Sequence, residues 1–227
     1  MKAVIFDVKG SIAHFRRPDT TATHLTYPFI TPTAVKGMIG AIIGITDFVT
    51  CDRVGIQLLR PVRTSAQQLS MLGKDAGNTF NRPTTIELLV NPAYRIYYAG
   101  EQYTDLLEDK LKQGQSVYPT YLGVAFALTF PRLVAIDEHV ERADEEIVTT
   151  RTAVPTSLIE DLLLTKSSLT YSRAGGFMKD YLGNRTFEKS ISYIYENDGN
   201  PITFRQKSDA DGNLGVFSVG GEAVCLV

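Results

Sequence analysis

The sequence predicts an α+β fold, and three observations lead to this class. Apolar residues alternate at strand period in several segments, they recur at helical spacing in two others, and turn-forming residues separate the segments. The chain has 227 residues and is 44% hydrophobic, which suffices for one large domain or for a domain with a small partner. The order of the predicted strands and helices then defines the architecture.

The first strand and the first helix have clear signals. Val4, Phe6 and Val8 occupy alternate positions, which predicts a strand. After an irregular basic segment, Thr31 suits a helix N-cap and Pro32 suits the first helical position. The apolar residues that follow keep helical spacing until residue 44, where a glycine is a natural stop.

Two glycines lie inside this predicted helix. Gly37 and Gly40 should each cost on the order of 1 kcal/mol relative to alanine. Their presence indicates that something approaches the helix closely there, either a strand or a ligand backbone.

Three further strands are predicted over residues 54–62, 86–98 and 124–130. Pro92 is expected to bend the middle one. The connection over about residues 63–85 is long for a compact domain, and such connections are usually functional or disordered. We expect a protruding hairpin or a flexible arm in this position.

The second helix is predicted over residues 104–113, with Leu106, Leu107 and Leu111 inward. The resulting order is β-α-β-β-α-β, which is the ferredoxin-like arrangement. RNA-recognition domains form one large group with this fold, but their aromatic sequence signature is absent here. If the chain binds RNA, we expect it to use another surface.

The character of the chain changes near residue 137. An acidic run over residues 137–146 is expected to be solvated, residues 173–176 to form a loop, and residues 197–200 to form a turn between short strands. The predicted organisation is therefore a ferredoxin-like domain over residues 1–136 and a small β-rich C-terminal subdomain over residues 137–227.

The net charge of -2 conceals an uneven distribution. Residues 1–95 carry 11 Lys and Arg against 6 Asp and Glu, whereas residues 96–227 carry 12 against 19. A basic first half on an acidic body indicates either one region that faces a polyanion or ordinary scatter of surface charge.

The sequence argues against several classes of protein. No segment has the roughly 18 consecutive apolar residues of a membrane helix, and the charged first apolar run does not suit a secretory signal, so we expect a cytoplasmic protein. Cys51 and Cys225 form neither a metal-binding pair nor a disulfide framework. With three scattered histidines and no catalytic loop motif, we expect no metal and no cofactor.

The candidate RNA-binding residues are basic side chains near the first helix and the long connection. A helix N-terminus with nearby guanidinium groups favours a phosphate, because unpaired N–H groups, the helix dipole and bidentate arginine all act on it. The alternative is that these are ordinary surface charges. The candidates are Arg16, Arg17, Lys36, Arg60, Arg63, Lys74 and Arg82.

Three motifs resemble those of a known family. Residues 10–15 form a Gly-x-x-Ala-x-Phe turn after the first strand, residues 32–37 open the helix with Pro-Thr-Ala-Val-Lys-Gly, and residues 121–123 read Tyr-Leu-Gly. This pattern resembles the fifth CRISPR-associated (Cas) protein family, and the sequence as a whole is most similar to type I-B members.

The resemblance implies a repeat-associated ferredoxin-like domain with a long hairpin, the thumb, at about residues 63–85. It also implies a role in a type I surveillance complex (Cascade), where the protein would bind and cap the 5′ handle of the guide RNA (crRNA). It would contact the backbone and large subunits, near the target DNA beside its PAM. The thumb would displace a guide base with a wedge of Met71, Leu72 and Phe80.

One branch of this family cleaves precursor RNA with Tyr, Lys and His, and its Lys and His are adjacent. This sequence has no Lys-His dipeptide, so the resemblance implies a subunit without catalytic residues. One alternative is a metal-independent endoribonuclease with His14 or Lys36 in acid–base roles. Another is a ferredoxin-like domain that binds a small molecule or a protein and is unrelated to RNA.

Overall fold

The computed structural model describes residues 1–72, 81–164, 168–207 and 214–227. Helices combine with antiparallel sheets, which confirms the α+β class. In chain order the elements are β1 (Lys2–Lys9), β2 (Ile12–Ala13), α1 (Pro32–Ile43), β3 (Arg53–Leu58), β4 (Thr64–Leu72), β5 (Asn81–Val90), β6 (Ala93–Gly100), α2 (Thr104–Lys112), β7 (Arg132–Asp137), β8 (Glu141–Arg142), β9 (Ile147–Thr150), β10 (Val154–Pro155), β11 (Ile159–Leu163), β12 (Tyr171–Tyr181), β13 (Phe187–Glu196), β14 (Ile202–Gln206), β15 (Gly215–Val219) and β16 (Glu222–Leu226).

A four-stranded sheet lies at the centre, with the strand order β3-β6-β1-β7 and antiparallel neighbours throughout. The elements β1, α1, β3, β6, α2 and β7 follow the predicted β-α-β-β-α-β order. The predicted position of the fourth strand is wrong, because β7 begins only at Arg132. Residues 122–127 instead form a tight turn. In this turn the Leu122 amide donates to the Ala127 carbonyl, and the Ala127 amide donates to the Val124 carbonyl.

The predicted strand over residues 86–98 is two strands, and the predicted strand over residues 54–62 ends early, at Leu58. Asn91 has a φ of 49°, a left-handed conformation that turns the chain between β5 and β6. β5 leaves the central sheet and pairs with β4 in an antiparallel hairpin. The long connection therefore contains the expected hairpin, and its residues 73–80 lie outside the described part of the chain.

Both faces of β1, β3 and β6 are largely buried, whereas the edge strand β7 is partly exposed. Tyr94, Ile96 and Tyr98 belong to the main core, which includes the apolar faces of α1 and α2. On the opposite face Ile5 and Tyr97 pack in a second cluster formed with β15 and β16. The side chains of β6 therefore alternate between two faces, and a C-terminal layer covers the second one.

α1 has the predicted ends. The side chain of Thr31 accepts a hydrogen bond from the Ala34 amide at 3.1 Å, and Gly44 ends the helix with a left-handed φ of 89°. A Cβ atom at Gly40 would lie 2.8 Å from the Phe48 Cβ, so the segment after the helix makes the expected close approach there. At Gly37 no atom of the described residues outside the neighbouring helix backbone would lie within 4 Å of such a Cβ, so this part of the helix surface is bare.

The carboxylate of Asp52 fixes the start of α2. It is buried and accepts hydrogen bonds from the amides of Glu101, Gln102 and Tyr103 at 3.1–3.2 Å, and from the Tyr98 hydroxyl at 2.7 Å. It therefore satisfies amide groups that precede the helix and have no partner within it. Leu107 and Leu111 of α2 are buried as predicted, but Leu106 is 53% exposed, which corrects its predicted inward position.

The C-terminal part is rich in short strands, as predicted. Its sheets have the orders β10-β13-β12, β11-β14-β9 and β16-β15-β8. The terminus returns to the central sheet, where Val54 and Val227 exchange backbone hydrogen bonds of 2.9 and 3.1 Å. Residues 173–176 belong to β12, so the predicted loop is wrong; Gly176, with a φ of 78°, accompanies a register shift within the strand.

Several smaller expectations are also settled. Residues 197–200 form the predicted turn. The Glu196 carboxylate accepts hydrogen bonds from the Asp198 and Asn200 amides and so stabilises it. The acidic run is mostly exposed, and Cys51 and Cys225 are free thiols. Among the described residues, no helix combines the length and hydrophobicity needed to cross a membrane.

Replacing Asp52 by alanine should lower the free energy of unfolding by about 2–4 kcal/mol, because buried donors lose a charged acceptor. The exposed Asp109 on α2 is the matched control, and its replacement by alanine should change stability by no more than about 0.5 kcal/mol. Urea unfolding followed by circular dichroism measures both values. Equal stability of the two variants would show that Asp52 does not anchor α2.

Candidate nucleic-acid interface

A groove of about 690 Å³ lies between the first half of α1 and the hairpin of β12 and β13. Five parts of the chain line it: the segment over residues 10–30, α1 with its N-cap, the loop after α1, Gly123, and the hairpin. The side chains used below are His14, Arg16, Lys36, Tyr181, Arg185 and Phe187. The groove thus combines cationic and aromatic groups in a space of the size that small ligands occupy.

Hydrogen bonds hold the irregular segment over residues 10–30 together and join it to β12. The Phe15 amide donates to the Thr26 hydroxyl at 2.9 Å, and the Tyr27 amide donates to the Phe15 carbonyl at 2.7 Å. The Tyr27 hydroxyl donates to the Gly176 carbonyl at 2.5 Å, which joins this segment to β12. These bonds place His14 and Arg16 on one wall of the groove and the hairpin on another.

Gly123 of the Tyr-Leu-Gly motif supports this wall from behind. It has a φ of 83°, and a Cβ atom there would lie 2.0 Å from the His14 carbonyl oxygen. The His14 amide also donates to the Leu122 carbonyl at 3.1 Å. Only glycine fits such a position, so the motif has a structural role in placing His14.

His14 has one ring nitrogen with a partner and one without. The side chain is 4% exposed, and Nδ1 lies 2.7 Å from the Glu87 carbonyl oxygen. Because a carbonyl oxygen only accepts, Nδ1 carries the proton of this bond. Nε2 has no hydrogen-bond partner among the described residues, and in the neutral ring it is an acceptor.

Lys36 is a nearly buried cation on the groove. It is 7% exposed, and no described residue accepts a hydrogen bond from its ammonium group or forms an ion pair with it. Burial lowers the pKa of Lys36, the charge of Lys179 lowers it further, and Asp180 opposes the shift. A desolvated cation without a close counter-ion favours a ligand that brings a negative charge.

The two predicted arginines of the N-terminal segment differ. Arg16 is exposed and lines the groove. Arg17 forms a bidentate ion pair with Asp19, with Nε–Oδ1 and Nη2–Oδ2 distances of 3.1 and 2.6 Å. A phosphate at Arg17 would therefore compete with an internal carboxylate, whereas one at Arg16 would not.

Of the remaining basic candidates, those within the described residues do not line the groove. Arg60 and Arg63 are exposed beside the base of the β4–β5 hairpin. Arg82 is exposed on β5; burial and the charges of Arg16 and Arg82 lower the pKa of His24, so both guanidinium groups act on the same region. Of the described basic candidates, Arg16 and Lys36 are therefore the two that line the groove.

The predicted thumb wedge is described only in part. Met71 is 38% exposed near the end of β4. Lys74, Phe80 and the side chain of Leu72 lie outside the described residues, so the wedge stays a prediction.

The sequence analysis missed the contribution of the hairpin tip. The rings of Tyr181 and Phe187 lie 5.2 Å apart, and the Tyr181 hydroxyl donates to the Asp47 carboxylate, which fastens the tip to the loop after α1. Asn184 and Arg185 have φ values of 50° and 61°. Such left-handed residues often mark functional sites. Aromatic residues on both sides of a basic Gly-Asn turn are the sequence signal that could have indicated this tip.

Comparison with solved structures identifies proteins that share this fold. The chain is similar to a CRISPR protein from Archaeoglobus fulgidus, with 12% identity, a TM-score of 0.58 and coverage of 99% of this chain and 98% of the other. It is also similar to a chain of a CRISPR RNA-guided surveillance complex, with 13% identity, a TM-score of 0.56 and coverage of 89% and 91%. At these identities the likeness establishes a shared fold.

The family follows from the sequence itself. Residues 3–122 match the family described as CRISPR-associated protein (Cas_Cas5). Because this match spans more than half of the 227 residues, the chain belongs to that family. A search of curated proteins found no match. The resemblance in the N-terminal motifs is therefore confirmed at the level of the family, and the type I-B similarity stays a prediction.

Replacing Gly123 by alanine should destabilise the protein more than replacing Gly114. Both residues have a positive φ, but a Cβ at Gly114 meets no atom within 4 Å. Gly114→Ala should therefore cost about 1–2 kcal/mol from the backbone alone, and Gly123→Ala should cost more because the His14 carbonyl must move. Equal losses in urea unfolding would mean that Gly123 does not support the groove.

Proposed function

We propose that this chain is the subunit of a type I CRISPR surveillance complex that binds and caps the 5′ handle of the guide RNA. The observation that carries the proposal is the groove, where a helix N-terminus, an exposed arginine, a nearly buried lysine and two aromatic rings converge. Membership of the Cas5 family supplies the CRISPR context.

The chemistry of the groove suits single-stranded RNA. Proteins that bind single strands combine cations that follow the backbone with aromatic side chains on which bases stack. Arg16 and Lys36 provide the charge, and the first turn of α1 adds the positive end of the helix dipole. Tyr181 and Phe187 provide the aromatic surface. In our proposal the phosphates of the handle lie along the cationic groups, and its bases stack on the two aromatic rings.

We also propose the finer description of the fold. The sheet order β3-β6-β1-β7 and the β-α-β-β-α-β connectivity favour a ferredoxin-like domain over residues 1–136, with the β4–β5 hairpin as its thumb. Residues 137–227 then form the β-rich subdomain, whose hairpin completes the groove. Arg60, Arg63 and Arg82 would contact RNA beside the thumb. Arg17 would contact RNA only after a phosphate replaces the Asp19 carboxylate in its ion pair.

The proposed partners follow from the same arrangement. The handle occupies the groove, and the acidic exposed surface around residues 138–146 favours protein partners or solvent over nucleic acid. The backbone and large subunits are the proposed neighbours, and through them the chain would lie near target DNA beside the PAM. The site would be in the cytoplasm, where guide complexes assemble.

A second function, metal-independent cleavage of precursor RNA, is favoured by one observation: His14 and Lys36 line the same groove. We propose that the subunit is not catalytic, because the adjacent Lys-His pair of the cleaving branch is missing from the sequence. Incubating the full-length chain with repeat-containing RNA in EDTA should leave the RNA intact. A single product that disappears in His14→Ala would contradict this.

The RNA-binding proposal predicts which substitutions release the guide. With the neighbouring CRISPR genes and an array co-expressed, the wild-type chain should retain one RNA species with a uniform 5′ end. Arg16→Glu combined with Lys36→Met should reduce retention at least about tenfold, because two phosphate contacts are lost. The slope of log affinity against log salt should also fall by about 0.7 per lost contact.

Arg151→Glu is the matched control, because Arg151 is exposed between β9 and β10 and does not line the groove. It should retain RNA like the wild type. Pull-down followed by RNA sequencing measures retention. A wild-type chain without enriched RNA, or equal retention in the groove variant and the control, would contradict the proposed function.

A further inference from the structure

The bare surface at Gly37 is the first sign of what enters the groove. α1 carries two glycines one turn apart, and only Gly40 is covered by protein. Gly37 is exposed, lines the groove, and has open space where its side chain would be. Because glycine weakens a helix interior, a bare position on a groove indicates that a flat or bulky group lies against the backbone there.

The wall formed by the hairpin tip is suited to a planar ring. Phe187 is 44% exposed although it is large and apolar, and its ring packs on Tyr181, which Asp47 holds in place. The left-handed residues Asn184 and Arg185 turn the chain between these two rings. The aromatic surface is therefore fixed before any ligand arrives, which is what base stacking requires.

The side chains of His14 and Lys36 favour ligand groups that complement them. His14 Nε2 is a buried acceptor without a described partner, and an unpaired buried acceptor is costly, so a ligand that offers an N–H or O–H group would stabilise it. Lys36 is a nearly buried cation without a described ion-pair partner, so an anionic group would stabilise it. A nucleotide supplies a planar base, donor groups and a phosphate in one ligand.

We propose that the groove holds one unpaired nucleotide of the bound RNA, with its base between the surface at Gly37 and the ring of Phe187. Its phosphate lies near Lys36, and a base N–H or ribose hydroxyl donates to His14 Nε2. This inference rests on the proposed function and goes further, since it separates one nucleotide that is bound through its base from others that are bound through phosphate.

An abasic scan tests the proposal. The probe is a synthetic RNA with the 5′ sequence that the wild-type complex retains, carrying a single abasic ribose at each position in turn. Removing a stacked base should weaken binding about 5- to 150-fold at one position, whereas the phosphates are all kept. In Phe187→Ala that position should no longer be sensitive. Phe126→Ala, at an aromatic residue that is 60% exposed outside the groove, is the control and should keep the wild-type profile.

Substitution at Gly37 tests the surface itself. Gly37→Leu should bind the same RNA at least about tenfold more weakly, because its side chain extends into the groove. Gly37→Ala is the smaller matched change and should bind more tightly than Gly37→Leu. Its Tm should equal or exceed that of the wild type, because its Cβ would meet no atom of the described residues within 4 Å outside the neighbouring helix backbone.

The outcomes are separable. If the wild-type chain binds no RNA, the proposed function itself fails. If it binds RNA with a flat abasic profile, or if Gly37→Leu binds like the wild type, only the nucleotide pocket is contradicted. A fall in Tm for Gly37→Ala would contradict the bare surface. A co-expressed complex with Gly37→Leu that lost a protein subunit but kept its RNA would show that the groove holds a peptide instead.

Discussion

Burial of both faces of β1, β3 and β6 in the central sheet is the constraint on which the rest of the structure depends. Side chains such as Phe6 and Tyr98 are fully buried against the helices, while Ile5 and Tyr97 are buried against β15 and β16. Each large apolar side chain that leaves water contributes about 1.5–3 kcal/mol. The C-terminal strands are therefore required by the sheet, and these three strands offer no open face to a ligand. In the proposed function, RNA binds elsewhere on the protein.

The groove follows from this arrangement, because the strands that cover the sheet also bring the β12–β13 hairpin beside α1. Its walls come from chain segments far apart in sequence, joined by the Tyr27–Gly176 and Tyr181–Asp47 hydrogen bonds. The acidic run and the groove lie in different parts of an overall acidic chain. In the proposed function, such separation would limit non-specific binding of free nucleic acid while it leaves a local positive site.

Local signals in the sequence predicted local structure well. Thr31, Pro32 and Gly44 define α1, and their chemistry acts within a few residues, so the helix was predictable with both ends. The order of elements was predictable for the same reason. The position of the fourth strand was not, because the alternation over residues 124–130 resembles a strand although Gly123 turns the chain. Leu106 shows the same limit, since helical spacing alone does not say which leucine faces solvent.

Only one wall of the groove, the one formed by the N-terminal segment and α1, was predictable from the sequence. Arg16 and Lys36 lie near a helix N-terminus that the sequence indicates, whereas Tyr181, Arg185 and Phe187 reach the groove through tertiary packing across about 150 residues of chain. The roles of Gly37 and Gly40 could not be told apart before the structure, because the difference is what lies outside the helix. Long-range packing, and not residue type, decides these positions.

Ultraviolet crosslinking of the retained RNA, with mass spectrometry of the crosslinked peptides, tests the central claim most directly. The account predicts crosslinks in residues 178–187 and in residues 14–37, the two walls of the groove. Crosslinks confined to the C-terminal strands β15 and β16, or to the acidic run at residues 137–146, would contradict it.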